Sequence, residues 1–260
     1  MDRIAPMSLA ELEMVLDWAA AEGWNPGLDD AAAFHAADPA GFLLKTVGGK
    51  PAAAISVVNH SPEFAFLGLY IAAPAFRGQG HGLDIWKAGL AHAGDRTVGL
   101  DGVPDQQANY ARSGFVRTGR TIRYAGEMEK PQGPVVRAHS DADTPHLLKA
   151  DTEAEGYTRH SFHATWLAGT ATRRTVLVDT RDGLGHATGR DCRDGIKIGP
   201  LRAHSADAAR ALIGELSNGG TAYIDVPETS GDLVKLVEAE GFAPVFETAR
   251  MYLGTPPRTV

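Results

Sequence analysis

Several features that often reveal a function are scarce in this chain of 260 residues. Its single cysteine, Cys192, excludes an intrachain disulfide. It has no run of lysine and arginine, and a net charge of −7 argues against nucleic acid as the main partner. No stretch approaches about 18 apolar residues, and the acidic, amphipathic N-terminal segment does not have the pattern of a secretory signal. We therefore expect a cytoplasmic protein without a membrane partner.

Metal and hydrolase chemistry also lack their usual motifs. His160 and His163 have ligand spacing on a predicted helix, but the glutamate of an HExxH motif and a third nearby ligand are missing. A G-x-S-x-G nucleophile elbow is absent as well. We expect neither a metal site nor a serine hydrolase.

The most informative stretch is residues 70–82, which reads YIAAPAFRGQGHG. The apolar run before it, residues 64–73, predicts a strand, and the pattern after it, residues 83–93, predicts a helix. Glycines let a backbone wrap closely around an anion, and the first turn of a helix offers unpaired N–H groups and partial positive charge. Arg77 adds a forked cation. Together these features predict a cradle for a phosphate or pyrophosphate.

The spacing Arg77-x-x-Gly80-x-Gly82 distinguishes this cradle from others. A nucleotide P-loop needs a lysine followed by serine or threonine, and a dinucleotide fingerprint needs G-x-G-x-x-G; neither is present. The segment resembles the pyrophosphate-binding signature [QR]-x-x-G-x-[GA] of the GNAT superfamily of acetyltransferases. The resemblance implies acetyl-CoA as acyl donor, with no metal. It assigns donor binding to Tyr70, Ile71, Ala72, Arg77, Gly78, Gln79, Gly80, His81 and Gly82.

A second motif reads Asn109-Tyr110-Ala-Arg-Ser-Gly114-Phe115 and resembles the Y-x-x-x-G-F segment of many GNAT-like sequences. In that family the tyrosine protonates the departing thiolate. A phenol with a pKa near ~10 can reprotonate a thiolate whose thiol has a pKa near ~8.5. The resemblance implies that Tyr110 is the catalytic acid; the alternative is a tyrosine that only packs against the sheet. An asparagine common in the family seven residues upstream is Val103 here, so its contact is not expected.

No motif identifies the group that takes the proton of an acceptor amine. Glu63 opens the strand that leads to the glycine loop, and Asp101 ends the next strand; either side chain could face the pocket or the solvent. Asp101, Gln106 and Gln107 form a polar cluster just ahead of Tyr110. The candidate acceptor-binding residues are therefore Glu63, Asp101, Gln106 and Gln107.

The order of predicted elements indicates a mixed α/β fold, and that order appears twice. Gly114-Phe115 matches Gly241-Phe242 at an offset of 127 residues. A polar linker with two prolines lies at residues 126–134. We predict two tandem GNAT-like domains, residues 1–128 and 134–260. The second half lacks the glycine loop and has Val237 in the place of Tyr110, so we expect it to shape the acceptor pocket or complete the fold without catalysing.

These observations predict an N-acyltransferase that moves an acetyl group from acetyl-CoA to the primary amine of a small molecule by direct attack. The alternative is a non-catalytic acyl-CoA sensor, and retention of Tyr110 favours the enzyme because a sensor needs no acid. The expected partner is a small-molecule amine. We expect a monomer or a homodimer.

Overall fold

A computed structural model describes residues 2–258 and places twelve strands in one mixed sheet, which confirms the predicted mixed α/β class. The strands are β1 (Arg3–Pro6), β2 (Phe42–Val47), β3 (Lys50–Asn59), β4 (Phe64–Ala72), β5 (Thr97–Gly102), β6 (Val116–Glu127), β7 (Val136–Ala138), β8 (Arg173–Thr180), β9 (Gly183–Asp191), β10 (Ile196–Arg202), β11 (Thr221–Pro227) and β12 (Ala243–Leu253). The helices are α1 (Leu9–Ala21), α2 (Asp30–Ala37), α3 (His81–Ala93), α4 (Gln107–Arg112), α5 (Thr144–Glu155), α6 (His160–Trp166), α7 (Ala206–Ser217) and α8 (Gly231–Ala239).

The start of α1 shows how local sequence sets an element. Ser8 accepts a hydrogen bond from the Glu11 amide at 3.3 Å, and the Glu11 carboxylate accepts one from the Ser8 amide at 2.8 Å. This reciprocal capping box pairs two N–H groups that the helix itself cannot pair. Apolar side chains at helical spacing, such as Leu12 and Leu16, then bury one face against the sheet.

The helices of the first half cover opposite faces of its sheet. Helices α3 and α4 pack on one face, where Leu67 of β4 and Leu100 of β5 are buried. Helices α1 and α2 pack on the other face, against Phe42 and Leu44 of β2. We call these the α3/α4 face and the α1/α2 face. Since side chains alternate along a strand, the neighbours of Leu67 and Leu100 point to the α1/α2 face.

The last strands of the two halves are exchanged. The sheet order is β1-β2-β3-β4-β5-β12-β6-β11-β10-β9-β8-β7. Strand β12 runs antiparallel to both β5 and β6, and β6 in turn pairs with β11 of the second half. The domain boundary at residues 128 and 134 stays a prediction, but each half completes its sheet with a strand of the other.

Contacts on the α1/α2 face also join the halves. Helices α2 and α6 meet through Phe34 and Trp166, whose rings stack with centroids 6.2 Å apart. Arg173 on β8 pairs with Asp29 at 3.1 Å, and Arg190 on β9 pairs with the buried Asp30. The start of α2 is thereby fixed against strands of the second half. Within residues 2–258, no helix has both the length and the apolar character needed to cross a membrane.

Candidate active site

The cleft of the first half opens where β4 and β5 separate. Residues 64–67 of β4 pair in parallel with residues 97–100 of β5, and the pairing then stops while both strands continue. A bulge in β4 accompanies the separation, with Leu69 at φ +47, a left-handed conformation that costs energy for a non-glycine residue. The result is a cavity of about 840 Å³ whose lining includes Tyr70, Arg77, Gly82, Asp101 and Tyr110.

The glycine loop presents a run of unpaired backbone donors beside this cleft. Gly78 and Gly80 adopt φ values of +74 and +84, which glycine reaches without a steric penalty. Among residues 2–258, the six consecutive amides of residues 78–83 find no hydrogen-bond acceptor, and the first helical bond runs from Asp84 to the Gly80 carbonyl. A Cβ at Gly78 or Gly80 would meet no atom of the described residues within 4 Å. The loop is an open concave set of donors at a helix N-terminus, which suits a pyrophosphate.

The polar and charged side chains near the loop contact other groups of the protein. Arg77 donates from Nε to the Ala72 carbonyl at 3.0 Å and from Nη2 to the Glu22 carboxylate, so it links the end of β4 to the end of α1. Asp84, in the first turn of α3, is paired with the buried Lys45, whose hydrogen bond lowers the pKa of that carboxyl group. The ring of His81 packs edge-on against Phe76, with centroids 5.8 Å apart, and Gln79 donates to the Ala75 carbonyl. The backbone amides of the loop are therefore anion donors that no group among the described residues occupies.

At the equivalent helix start in the second half, the side chain of the N-cap residue binds one of the backbone amides. Ser205, the N-cap of α7, accepts a hydrogen bond from the Ala208 amide at 3.2 Å. Gly80, at the corresponding position of α3, has no side chain and makes no such cap. Val237, which replaces Tyr110 in the repeat, lies on α8 and is buried in the core of the second half. The two halves thus differ at both predicted elements of the chemistry.

Tyr110 lies on the α3/α4 side of the cleft. Its ring stacks on Trp86 at 5.5 Å between centroids, and it packs so close to β5 that a Cβ at Gly102 would meet its Cδ2 atom at 3.0 Å. The side chain is only 7% exposed. Burial, followed by the influence of Tyr70, raises the pKa of Tyr110 to about 12. The phenol is therefore protonated at neutral pH.

The structure separates the four predicted acceptor residues into two groups. Asp101 and Gln106 line the cleft. Glu63 lies at the opposite end of β4, where Ser61 donates to its carboxylate at 3.1 Å, and it lines a different cavity of about 440 Å³. Gln107 donates to the Gly102 carbonyl at 3.1 Å and holds the turn ahead of α4. The structure does not bring Glu63 and Gln107 to the cleft, because the strands separate at the carboxyl end of β4 and the Gln107 amide is occupied by backbone.

Other residues of the cleft have no sequence motif. We call the part on the α1/α2 face the acceptor side; its lining includes Glu22, Trp24, Phe66, Arg123 and Phe246. Phe66 and Asp101 point to this face because their neighbours Leu67 and Leu100 are buried on the other. Phe246 and Glu247 come from β12, so the strand exchange brings the second half into the wall of the cleft.

Two cations, one on β6 of the first half and one on β10 of the second, hold the loop after α1. Arg123 of β6 donates to the Trp24 carbonyl at 3.1 Å, and Lys197 of β10 donates to the same oxygen at 3.0 Å. Arg123 also forms a bidentate pair with Asp225, at 2.6 and 2.9 Å. Burial, with the nearby positive charge of Arg123, lowers the pKa of Lys197 to about 8. This network fixes the position of Trp24 over the cleft.

Comparisons with known proteins identify the family. A protein of Pseudoalteromonas sp. (strain SANK 73390) named holothin acyltransferase is 33% identical over 262 residues, which covers 97% of this chain and 88% of that protein. This chain belongs to the GNAT superfamily of acyltransferases. The sequence model described as an acetyltransferase (GNAT) domain matches residues 147–259, so the half without the glycine loop retains the family pattern.

Solved structures agree in fold over the whole chain. A Pyrococcus horikoshii protein considered to be an acetyltransferase superposes with a TM-score of 0.82 at 21% identity, covering 100% of this chain and 91% of its own. A tandem GNAT protein from the clavulanic acid biosynthesis pathway has a TM-score of 0.67 at 15% identity, with coverage of 97% and 98%. The predicted tandem arrangement of GNAT-like folds is confirmed, and the protein is an acyltransferase of GNAT type. The alternative of a non-catalytic sensor gains no support from these relatives.

Proposed function

We propose that this protein transfers an acetyl group from acetyl-CoA to the primary amine of a small molecule. The observation that carries the proposal is the run of six unpaired amides at residues 78–83, beside a cleft that also contains the protonated Tyr110. The Pseudoalteromonas relative bears the name holothin acyltransferase. From that relative we infer for this chain only that it transfers an acyl group to an acceptor held in the cleft.

The residues of the first half fit an acyl-CoA in both shape and polarity. The amides of residues 78–83 would hold the pyrophosphate, since anions favour the partial positive charge of a helix N-terminus. Arg77 would join them by exchanging its Glu22 partner for a phosphate oxygen. Among residues 2–258, no strand pairs with the edge of β4 that faces β5 beyond Leu67. Tyr70, Ile71 and Ala72 therefore lie at an edge suited to the amides of a pantetheine arm, with the Ala72 carbonyl already bound by Arg77. The donor, when bound, supplies a thioester carbonyl that an amine can attack.

In this proposal, the amine attacks from one face of the cleft and the leaving sulfur is protonated from the other. The lone pair of the amine forms the new C–N bond from the acceptor side, and the C–S bond breaks with its electron pair on sulfur. Tyr110, on the α3/α4 face, donates its phenolic proton to that sulfur. The proton lost by nitrogen passes to water or to a carboxylate of the acceptor side. Solvent finally returns a proton to the tyrosinate.

The raised pKa of Tyr110 sets a condition on this transfer. A phenol with a pKa of about 12 is a weaker acid than a thiol in water, whose pKa is near ~8.5. The apolar surroundings that raise the tyrosine pKa also disfavour a thiolate beside it, and so raise the pKa of the leaving sulfur. Burial therefore raises the proton affinity of the leaving sulfur as well as that of the tyrosinate, so the raised pKa of Tyr110 does not by itself oppose the transfer.

The test is a Tyr110→Phe variant measured for both binding and turnover. We expect acetyl-CoA to bind almost normally, because the ring keeps its stack on Trp86. Turnover, followed as free thiol released in the presence of a panel of primary amines, should fall by roughly 10²–10⁴-fold, the usual contribution of general acid catalysis. Tyr223→Phe, a tyrosine of β11 that pairs with Asp194 outside the cleft, is the matched control. Full turnover by Tyr110→Phe, or thiol release that needs no amine, would contradict the proposal.

A further inference from the structure

Three aromatic side chains from distant parts of the chain meet at the acceptor side. Trp24 follows α1, Phe66 lies in β4 and Phe246 lies in β12, and all three line the cleft. Each is half-buried, so part of its apolar surface faces the cavity. Large apolar surfaces that remain accessible in a concave site mark a place where a ligand gains by covering them.

Guanidinium groups lie over two of these rings. Arg123 lies 5.2 Å from the centroid of Phe246, and Arg250 lies 5.3 Å from that of Phe66. Such a cation–π contact holds a ring in a defined plane. Phe66 and Phe246 are therefore oriented surfaces, suited to stacking against another flat group.

The charges around the rings are matched in pairs. Arg123 is bound by Asp225, and Arg250 forms a bidentate pair with Asp101 at 2.7 and 3.1 Å. The carboxylates of Glu22 and Glu247 are paired with Arg77 and Arg120, respectively. A polycationic or an anionic acceptor would have to break these pairs to find a partner. Among the described residues, Asp105 is the one carboxylate lining the cleft without a salt bridge, so the cleft offers little unpaired charge to a second charged group of an acceptor.

We propose that the acceptor is a flat, π-conjugated primary amine that carries no charge besides its amino group. The aromatic rings would stack on the conjugated part, and the amino group would point through the separation of β4 and β5 toward the thioester. This inference rests on the proposed amine acylation, since it names the class of acceptor for the same cleft.

Two amines that differ only in ring planarity test the proposal by binding. Benzylamine and cyclohexylmethylamine each carry a primary amine on one methylene, but only benzylamine has a flat ring. Each is titrated by calorimetry into the protein saturated with free CoA, which cannot turn over. We expect benzylamine to bind about 2- to 10-fold more tightly, the range for one or two aromatic contacts. Adding a second charge should weaken binding, so 1,5-diaminopentane should bind less tightly than pentylamine.

Variants of the wall identify the source of the preference. Phe246→Leu and Trp24→Leu should reduce the ring preference toward unity while leaving CoA affinity unchanged. Val245→Ala is the matched control on β12, because its side chain is 54% exposed and it does not line the cleft. Equal or reversed affinities for the two amines, or a preference that survives both variants, would overturn the inference.

Turnover measured separately distinguishes this inference from the proposed function. If the ring preference appears in binding but acetyl-CoA releases no thiol with any amine, amine acylation is refuted while the aromatic acceptor side stands. If thiol release is fast with aliphatic amines and slow with aromatic ones, the class of acceptor is refuted while amine acylation stands.

Discussion

Replacement of Gly80 by valine tests the anion cradle most directly. Gly80 is the N-cap of α3 at φ +84, where an L-amino acid costs about 1–2 kcal/mol. Within the part of the chain that the structure describes, a Cβ there meets no atom within 4 Å, so the added methyl groups would enter the space that the proposal gives to the pyrophosphate. A hydrogen bond to a charged group is worth about 1.5–3 kcal/mol. The loss of one such bond should weaken acetyl-CoA binding by about 10- to 150-fold.

Calorimetry with acetyl-CoA and urea unfolding separate the binding effect from backbone strain. Gly241 is the matched control, because it has φ +83, open space around its Cβ position and a place outside the cleft, just before β12. Gly241→Val should lose a similar stability and keep normal affinity. Wild-type affinity in Gly80→Val would place the donor elsewhere. Equal weakening in both variants would show that strain, rather than the cradle, controls binding.

Two further predictions concern the second half. A chain that ends at Lys130 keeps the glycine loop but loses β12, the strand that lies between β5 and β6. Because both strands then have unpaired edges, we expect this fragment to show no cooperative unfolding transition by circular dichroism. A folded fragment that binds acetyl-CoA would contradict this prediction. Burial, with the charge of Arg202, lowers the pKa of His186 from 6.5 to about 4, so the stability that its neutral ring contributes is present above pH 6.5 and is lost as the pH falls through 4. Between pH 6.5 and 4, the fall in the free energy of unfolding measured with urea should be smaller in His186→Gln than in the wild type, by up to about 3 kcal/mol. An unchanged pH dependence would exclude His186 as the source of that fall.

Local sequence signals predict many of the helices and strands, but they do not predict the order in which the strands pair in the sheet. The capping box at Ser8 predicts α1, and strand-forming runs predict most strands. Strand β1 was not predicted, because its four residues show no alternation and its structure depends on pairing with β2. The exchange of β6 and β12 was not predicted either. Apolar alternation identifies a strand and its buried face, but it does not specify which strand lies beside it.

The same distinction separates the parts of the site. The loop from Arg77 to Gly82 is contiguous in sequence, so its donors are visible as a motif. The acceptor side is assembled from Trp24, Phe66 and Phe246, which only the folded sheet brings together. Glu63 was a candidate because it opens β4, but the cleft forms at the other end of that strand, where pairing with β5 stops. Residue types predict that a strand forms, but they do not show at which of its ends the sheet opens into a cleft.

Strand exchange gives the second half a place in the wall of the cleft that needs no cradle of its own. Strand β12 pairs with β5 and β6 and also carries Phe246 into the cleft, so the second half both completes the sheet and lines the acceptor side. The capped start of α7 and the buried Val237 satisfy packing and hydrogen bonding without any ligand. A substitution on the cleft face of β12 should therefore alter acceptor preference while the donor site, built from β4 and α3, remains intact. In the proposed function the cradle lies in the first half, whereas the acceptor side draws on both halves, so a change on β12 would alter acceptor choice without disturbing the cradle.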